Sequence, residues 1–428
     1  MNPCCAIDFG TSNSAVALPA GEAGMRLVEL EPGFHTMPTA VFYRADGPAH
    51  AEPLREYGRA AVAAYVDGLD GRLMRSMKSI LGSTLVDQTT DVGGGRGVRY
   101  LDIIAGYLRR LKTLAEAQAG TPLHRVVLGR PVFFVDDDPA RDAQAQAALE
   151  SAARSVGFGE LQFQYEPIAA ALDHERRAER EQRVLVADIG GGTSDFSLVR
   201  VGPERRARLD RRDDILANHG VHVAGTDFDR RVELATILPL FGYGAYGPAE
   251  RGGVPKEVPS GIYFDLATWH LINTVYAPAR LAELRQMRSF YADERQHRRL
   301  MIVLTERLGH ALAGAAEQAK IDAATRGHAD IDLSLVEAGL TATLGEARAG
   351  EVIAADCDRI VRAARETLRQ AGVAGDSVDA VYFTGGSTGL APLVERIAAC
   401  CPTAQVVRGD RFSSVAQGLG EYARRVYG

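Results

Sequence analysis

The chain alternates short apolar runs with longer stretches of helical periodicity, and the alternation begins at once. Cys4–Phe9 reads as a buried strand; it breaks at Gly10-Thr11-Ser12-Asn13-Ser14 and resumes over residues 15–18. Helical composition dominates residues 51–119, loosening over 87–97. A strand over 125–128 leads through Gly129-Arg130-Pro131 into an alanine-rich helix over 140–156. A further strand, 161–165, runs into Glu166-Pro167 and a second alanine-rich helix, the proline suiting a first helical turn. A charged stretch, 173–183, closes this half.

The second half restarts the scheme. Residues 184–187 form a short apolar strand that breaks at Asp188-Ile189-Gly190-Gly191-Gly192-Thr193 and resumes over 196–199. An arginine-rich hairpin follows at 204–212, then helices through much of 227–325 and a strand pair at 331–336 and 339–344. A long helix over 354–371, a strand at Ala380–Thr384, the turn Gly385-Gly386-Ser387-Thr388 and a helix over 415–426 complete the pattern. IDFGTSNSAVAL and VADIGGGTSDFSLV therefore open the two halves with one arrangement: strand, aspartate, glycine-rich turn, strand. Alternating strands and helices in each half predict mixed sheets with helices on both faces, and two such halves would enclose a cleft.

Composition narrows the class. The 428 residues are 46 % hydrophobic and 24 % charged, ordinary for a globular protein and long enough for several domain-sized cores. A net charge of −6 argues against a basic nucleic-acid reader, and no apolar run reaches the length of a membrane span. The start, MNPCCAIDFG, lacks the regions of a signal peptide, so a cytoplasmic protein is expected. Five cysteines, Cys4, Cys5, Cys357, Cys400 and Cys401, have neither disulfide-framework nor zinc spacing and read as small buried hydrophobes.

The two turns point to chemistry. Glycines permit positive φ and close approach to a ligand, and successive N–H groups make a concavity that suits phosphate. Thr193 and Ser194 would add hydroxyl donors. A carboxylate would repel phosphate directly, so Asp8 and Asp188 make sense through a hydrated Mg²⁺ between them and the phosphates. A literal GxGxxG at Gly242, Gly244 and Gly247 is not such a site, because no strand precedes it and Pro248 follows.

IDFGTSNSAVAL, YEPIAAALDHE, VADIGGGTSDFSLV, AGTDFD and VYFTGGSTGLAPLVERI occur in order along the chain. Together they resemble the two phosphate, two connecting and adenosine motifs of the actin, sugar-kinase and heat-shock ATPase superfamily. The nearest resemblance is to the DnaK-type heat-shock chaperone ATPases, and IYFDLATWH resembles their short YegD-like members. That resemblance implies an α/β actin-like ATPase fold of two duplicated ribonuclease-H-like lobes with a nucleotide cleft. It implies ATP or ADP with Mg²⁺, and a monovalent cation besides. Asp8 and Asp188 would hold the metal, while Gly10, Thr11, Ser12, Asn13, Gly190, Gly191, Gly192, Thr193 and Gly225 would line the nucleotide phosphates. Lys78, Glu166, Asp195 and Thr193 would serve hydrolysis; Glu317, Lys320, Gly385, Gly386 and Ser387 would face adenosine.

The same resemblance places lobe I at 1–182 with a helical insertion at about 36–119. Lobe II would span 183–409 with an insertion at about 227–325, and a closing helix, 410–428, would pack back on lobe I. The chain departs from the family pattern at Ala224, Ala324 and Gly389, and in GDRFSSVAQG, where Asp410 is the available acid. The expected function is ATP hydrolysis by a chaperone-like protein lacking a peptide-binding domain and coupled to a protein partner such as a co-chaperone. A filament-forming cytoskeletal ATPase and a small-molecule kinase are the alternatives. Neither nucleic acid nor membrane is an expected partner, and the oligomeric state is left open.

Overall fold

In the computed structural model, residues 3–21, 24–46, 52–93, 95–135, 138–248, 254–410 and 413–428 are described. The chain divides into two compact units. The first holds residues 1–222, 362–388 and 396–428; the second holds 223–361 and 389–395.

The first unit is built on two mixed sheets. In one, the strands run Glu160–Tyr165, Arg125–Arg130, Cys4–Phe9, Asn13–Pro19 and Met25–Leu27, with Thr36–Pro38 also paired to Asn13–Pro19. Cys4–Phe9 lies parallel to Arg125–Arg130 and antiparallel to Asn13–Pro19, so the glycine turn is the loop of a hairpin. In the other sheet the order is Ile215–Val221, Ser194–Val201, Gln182–Ile189, Ala380–Thr384 and Gln405–Arg408. Gln182–Ile189 is again antiparallel to the strand after its turn and parallel to Ala380–Thr384. The repeated sequence scheme is thus a repeated topology.

The near-continuous apolar runs of these strands reflect burial on both faces. Ile7, Phe9, Val16 and Leu18 join a core with the helices Tyr100–Ala119 and Pro139–Ser155. Ala6, Ala17, Val127, Val186 and Val199 join another with the helices Glu166–Arg177 and Ser414–Tyr427. Those two helices touch at backbone distance: a Cβ on Gly418 would fall 1.9 Å from the Ala169 carbonyl oxygen, which is why a glycine stands there.

Residues 51–119 differ from expectation. Among the described residues here only Gly58–Val66 and Tyr100–Ala119 are α-helices; Arg55–Tyr57, Gly71–Arg75, Thr89–Asp91 and Gly97–Arg99 are strands. Strands of three to five residues are too short for a two-residue period to stand out, and the pairing of Gly71–Arg75 with Ala40–Arg44 and of Thr89–Asp91 with Gly97–Arg99 overrides the local composition. The long helix is Glu346–Gln370, beginning eight residues earlier than expected.

The second unit is mainly helical, with Val232, Phe241, Tyr263, Leu300 and Leu312 in its core and a hairpin of His328–Asp332 with Thr341–Gly345 against it. Residues 242–247 form a loop, as their missing strand and following Pro248 predict. All five cysteines are free, and all but Cys400 are buried. No helix among the described residues is long and apolar enough to cross a membrane.

Candidate functional site

Both glycine turns belong to the first unit, and they approach each other. A Cβ on Gly191 would sit 3.1 Å from Ser12 Oγ, so residues at the centres of the two turns are neighbours. The conformations differ from the sequence expectation, since none of Gly10, Gly190, Gly191 and Gly192 takes a positive φ. Space is what Gly10 answers to: its turn is so tight that a Cβ would fall 2.2 Å from the Asn13 carbonyl oxygen. Gly192, by contrast, has no atom within 4 Å of where a Cβ would be, and the backbone there is open to an approaching ligand. Ser194 is fully buried at the start of the strand Ser194–Val201.

Hydroxyl groups brace both turns. Thr39 Oγ1 donates to the Gly10 carbonyl at 2.8 Å, and the Thr39 amide donates to the Ser12 carbonyl at 2.9 Å. In the second turn the Gly190 amide donates to the Thr193 carbonyl at 2.9 Å, and Ser387 Oγ donates to the Gly190 carbonyl at 2.8 Å. Gly385, with φ +90°, lies against this turn; a Cβ would meet Ile189 O at 2.4 Å and Asp188 Oδ1 at 2.6 Å.

Four carboxylates and one ammonium share this region. Asp8 ends the first strand; Asp188 faces Asp195 across the second hairpin and Thr384 in the parallel strand. Lys78, on the short 3₁₀ turn Met77–Ile80, forms an ion pair with Glu166 at the start of its helix. Burial first, then the Glu166 and Asp188 charges, pushes the Asp8 carboxyl up to about 8 against the pull of Lys78. Burial also pushes Asp188 up to about 7, with Asp195 and Glu166 adding to the rise and Lys78 opposing. Asp195 reaches solvent by surface area yet is closely walled by protein. Its carboxyl is raised, by desolvation first, against a hydrogen bond with Thr193.

One lysine faces four carboxylates here, and a cation would supply the counter-charge. Among the described residues no three His, Cys, Asp or Glu side chains form a direct metal cage. The donor set therefore fits an ion that keeps its waters and meets Asp8 and Asp188 through them, the habit of Mg²⁺.

Gly225, Glu317 and Lys320 lie in the second unit, whereas Gly385, Gly386 and Ser387 lie in the first. Gly225 opens the helix Gly225–Val232. Ala224 before it has an extended φ of −162°, a conformation its Cβ tolerates. Lys320 pairs with Asp229 at 2.5 Å, and burial pushes the Asp229 carboxyl up to about 6 against the lysine's pull. Asp410 accepts Ser414 Oγ on its carbonyl at 2.5 Å, whereas Arg411 and Phe412 of the GDRFSSVAQG stretch lie outside the described residues. The sequence reading missed Thr39 and its neighbours Ser14 and Tyr107. Buried hydroxyls among apolar residues were the available signal.

A family model described as Hsp70 protein matches residues 4–235, more than half of the chain. That span includes both glycine turns, Lys78, Glu166 and Asp195, and excludes Glu317, Lys320 and Gly385–Ser387. The chain is also similar to the "Chaperone protein DnaK" of Thermosipho melanesiensis, 31% identical over 228 residues, which are 53% of this chain and 34% of that protein. The matched stretch covers about a third of that relative's length.

Proposed function

This chain belongs to the Hsp70 family, whose members are ATPases with an actin-like fold, and from that premise we propose that it binds ATP with Mg²⁺ and hydrolyses it slowly. One observation supports this most: two aspartate-led glycine turns meet beside an ion-paired lysine and glutamate in a region short of positive charge. On this reading Gly10–Asn13 and Gly190–Thr193 line the phosphates, with Gly225 a further phosphate-side glycine. Asp8 and Asp188 take the hydrated metal. Lys78 neutralises charge on the transferring phosphoryl group and, with Glu166, Asp195 and Thr193, orients the attacking water. Positioning and charge neutralisation do the chemistry, with no covalent enzyme intermediate. Glu317, Lys320, Gly385, Gly386 and Ser387 are the adenosine side.

The duplicated lobes at 1–182 and 183–409, nucleotide-dependent coupling to a protein partner and a cytoplasmic setting belong to the same proposal. Phosphate release from Mg·ATP by the purified full chain tests it. The expected result is slow turnover that stops with EDTA; release indifferent to the metal, or none above the uncatalysed rate, would overturn it.

A further inference from the structure

The hydroxyls behind the two turns form a matched pair. In each turn the carbonyl of the first glycine accepts a hydrogen bond from a hydroxyl on a separate segment: Gly10 from Thr39 Oγ1 and Gly190 from Ser387 Oγ, both at 2.8 Å. These donors come from unrelated places, one beside the strand Thr36–Pro38 and the other in the turn after Ala380–Thr384. The sequence repeat does not contain them. The fold has supplied the same contact twice by different routes.

Around Thr39 the proton directions follow by counting. Its single hydroxyl proton goes to Gly10, so at the 2.9 Å contact between Ser14 Oγ and Thr39 Oγ1 the serine is the donor. The Thr39 amide holds the Ser12 carbonyl, and Tyr107 OH donates to the Pro38 carbonyl at 3.0 Å. Ser14, Thr39 and Tyr107 are all buried, so these bonds face little competition from water. The carbonyls of Gly10 and Ser12 are both committed to Thr39.

The chemistry of a phosphate turn gives this arrangement a purpose. N–H groups attract a bound phosphate, and a carbonyl oxygen turned toward it repels. We propose that Thr39 and Ser387 are positioning residues: each hydroxyl holds the first carbonyl of its turn away from the phosphates and fixes the register of the amides beside it. The inference rests on the reading that Gly10–Asn13 and Gly190–Thr193 hold the nucleotide's phosphates. It gives Ser387 a task distinct from contact with adenosine.

Thr39→Val and Ser387→Ala remove the hydroxyls, and Thr39→Ser keeps one while deleting the methyl. Single-turnover hydrolysis of Mg·ATP and equilibrium binding of ATP and ADP would be measured on full chains, at a temperature where circular dichroism shows every variant folded. Thr39→Val and Ser387→Ala should each slow single turnover by about tenfold, the rate equivalent of one hydrogen bond lost from a preorganised site. Thr39→Ser should stay within about twofold of wild type, the span expected when the donor is retained. Wild-type rates in both hydroxyl-less variants would overturn the inference, as would Thr39→Ser as slow as Thr39→Val. If Thr39→Val does not fold, Ser387→Ala decides alone, since Ser387 is only half-buried. A wild-type chain that neither binds nor hydrolyses ATP would instead overturn the phosphate reading, and the positioning role with it.

Discussion

Replacing Lys78 separates a catalytic from a structural ion pair. Its ammonium and the Glu166 carboxylate are 9% and 17% exposed, and Asp8, Asp188 and Asp195 contribute further negative charge nearby. Ser76, just before it, holds a left-handed φ of 52°, a conformation costing roughly 1–3 kcal/mol that persists only where its surroundings impose it. Lys78→Met leaves Glu166 uncompensated. Breaking a fully buried pair costs about 3–5 kcal/mol, and the residual solvent at these side chains brings the expected loss to about 2–3 kcal/mol. Lys78→Met with Glu166→Gln removes both charges and should recover most of that stability. Catalysis should not recover with it. One preorganised donor on a developing charge is worth about 2.7–4 kcal/mol, so single-turnover hydrolysis should fall about 10²- to 10³-fold in single and double variants alike. ATP affinity should change much less in Lys78→Met, because the glycine turns and metal still hold the ground state. Urea denaturation and quench-flow on the same preparations give both quantities. A hydrolysis rate that returns along with stability in the double variant would refute the catalytic role.

Asp8→Asn and Asp188→Asn should each reduce Mg²⁺-dependent turnover by at least about tenfold, roughly 1.4 kcal/mol of barrier, while circular dichroism stays native; equal loss of structure and activity would contradict the metal role. Asp229, pushed up to about 6 mainly by burial, holds in the folded chain a proton that the unfolded chain releases near pH 4. Its contribution to stability is therefore full below about pH 4 and lost as pH rises through about 6, worth about 1–2 kcal/mol after discounting for its partial solvation. Asp229→Asn should flatten the urea midpoint between those limits, and an unchanged slope would contradict the assignment. Arg211→Met should cost about 3–5 kcal/mol in urea denaturation, since it leaves the fully buried Glu175 carboxylate without its ion pair and removes one of the two arginines on buried Asp214; a loss under about 1 kcal/mol would show the pairs to be dispensable.

The two glycine turns are legible in the sequence because their pattern is local. An aspartate at a strand end followed by a glycine turn can be read from consecutive residues, and the fold adds only that the two copies meet. Lys78 could be singled out by resemblance, but the Glu166 that pairs with it is 88 residues away. Arg55–Tyr57 and Gly71–Arg75 lie in a stretch of helical composition because strands of three and five residues carry no clear period of their own, and Thr89–Asp91 lies in the looser stretch 87–97. The hydroxyl brace was hidden for a related reason. Thr39 and Ser387 acquire meaning only from the carbonyls they reach, 29 and 197 residues away in the chain. Glycine at residue 10 answers to steric room, a Cβ there falling 2.2 Å from the Asn13 carbonyl oxygen, and not to a positive φ.

On the proposed reading the two turns form a nucleotide site completed by a divalent cation. Thermal unfolding of the full chain with ATP, ADP and GTP, each with Mg²⁺ or with EDTA, addresses it most directly. A ligand that binds only the folded state stabilises it by about 2.7 kcal/mol at a hundred times its dissociation constant. ATP and ADP with Mg²⁺ should therefore raise the unfolding temperature by about 5–11 °C at that saturation, at on the order of 2–4 °C per kcal/mol in large domains, and EDTA should remove most of the rise. No shift with any adenine nucleotide at millimolar concentration in the presence of Mg²⁺ would contradict the account.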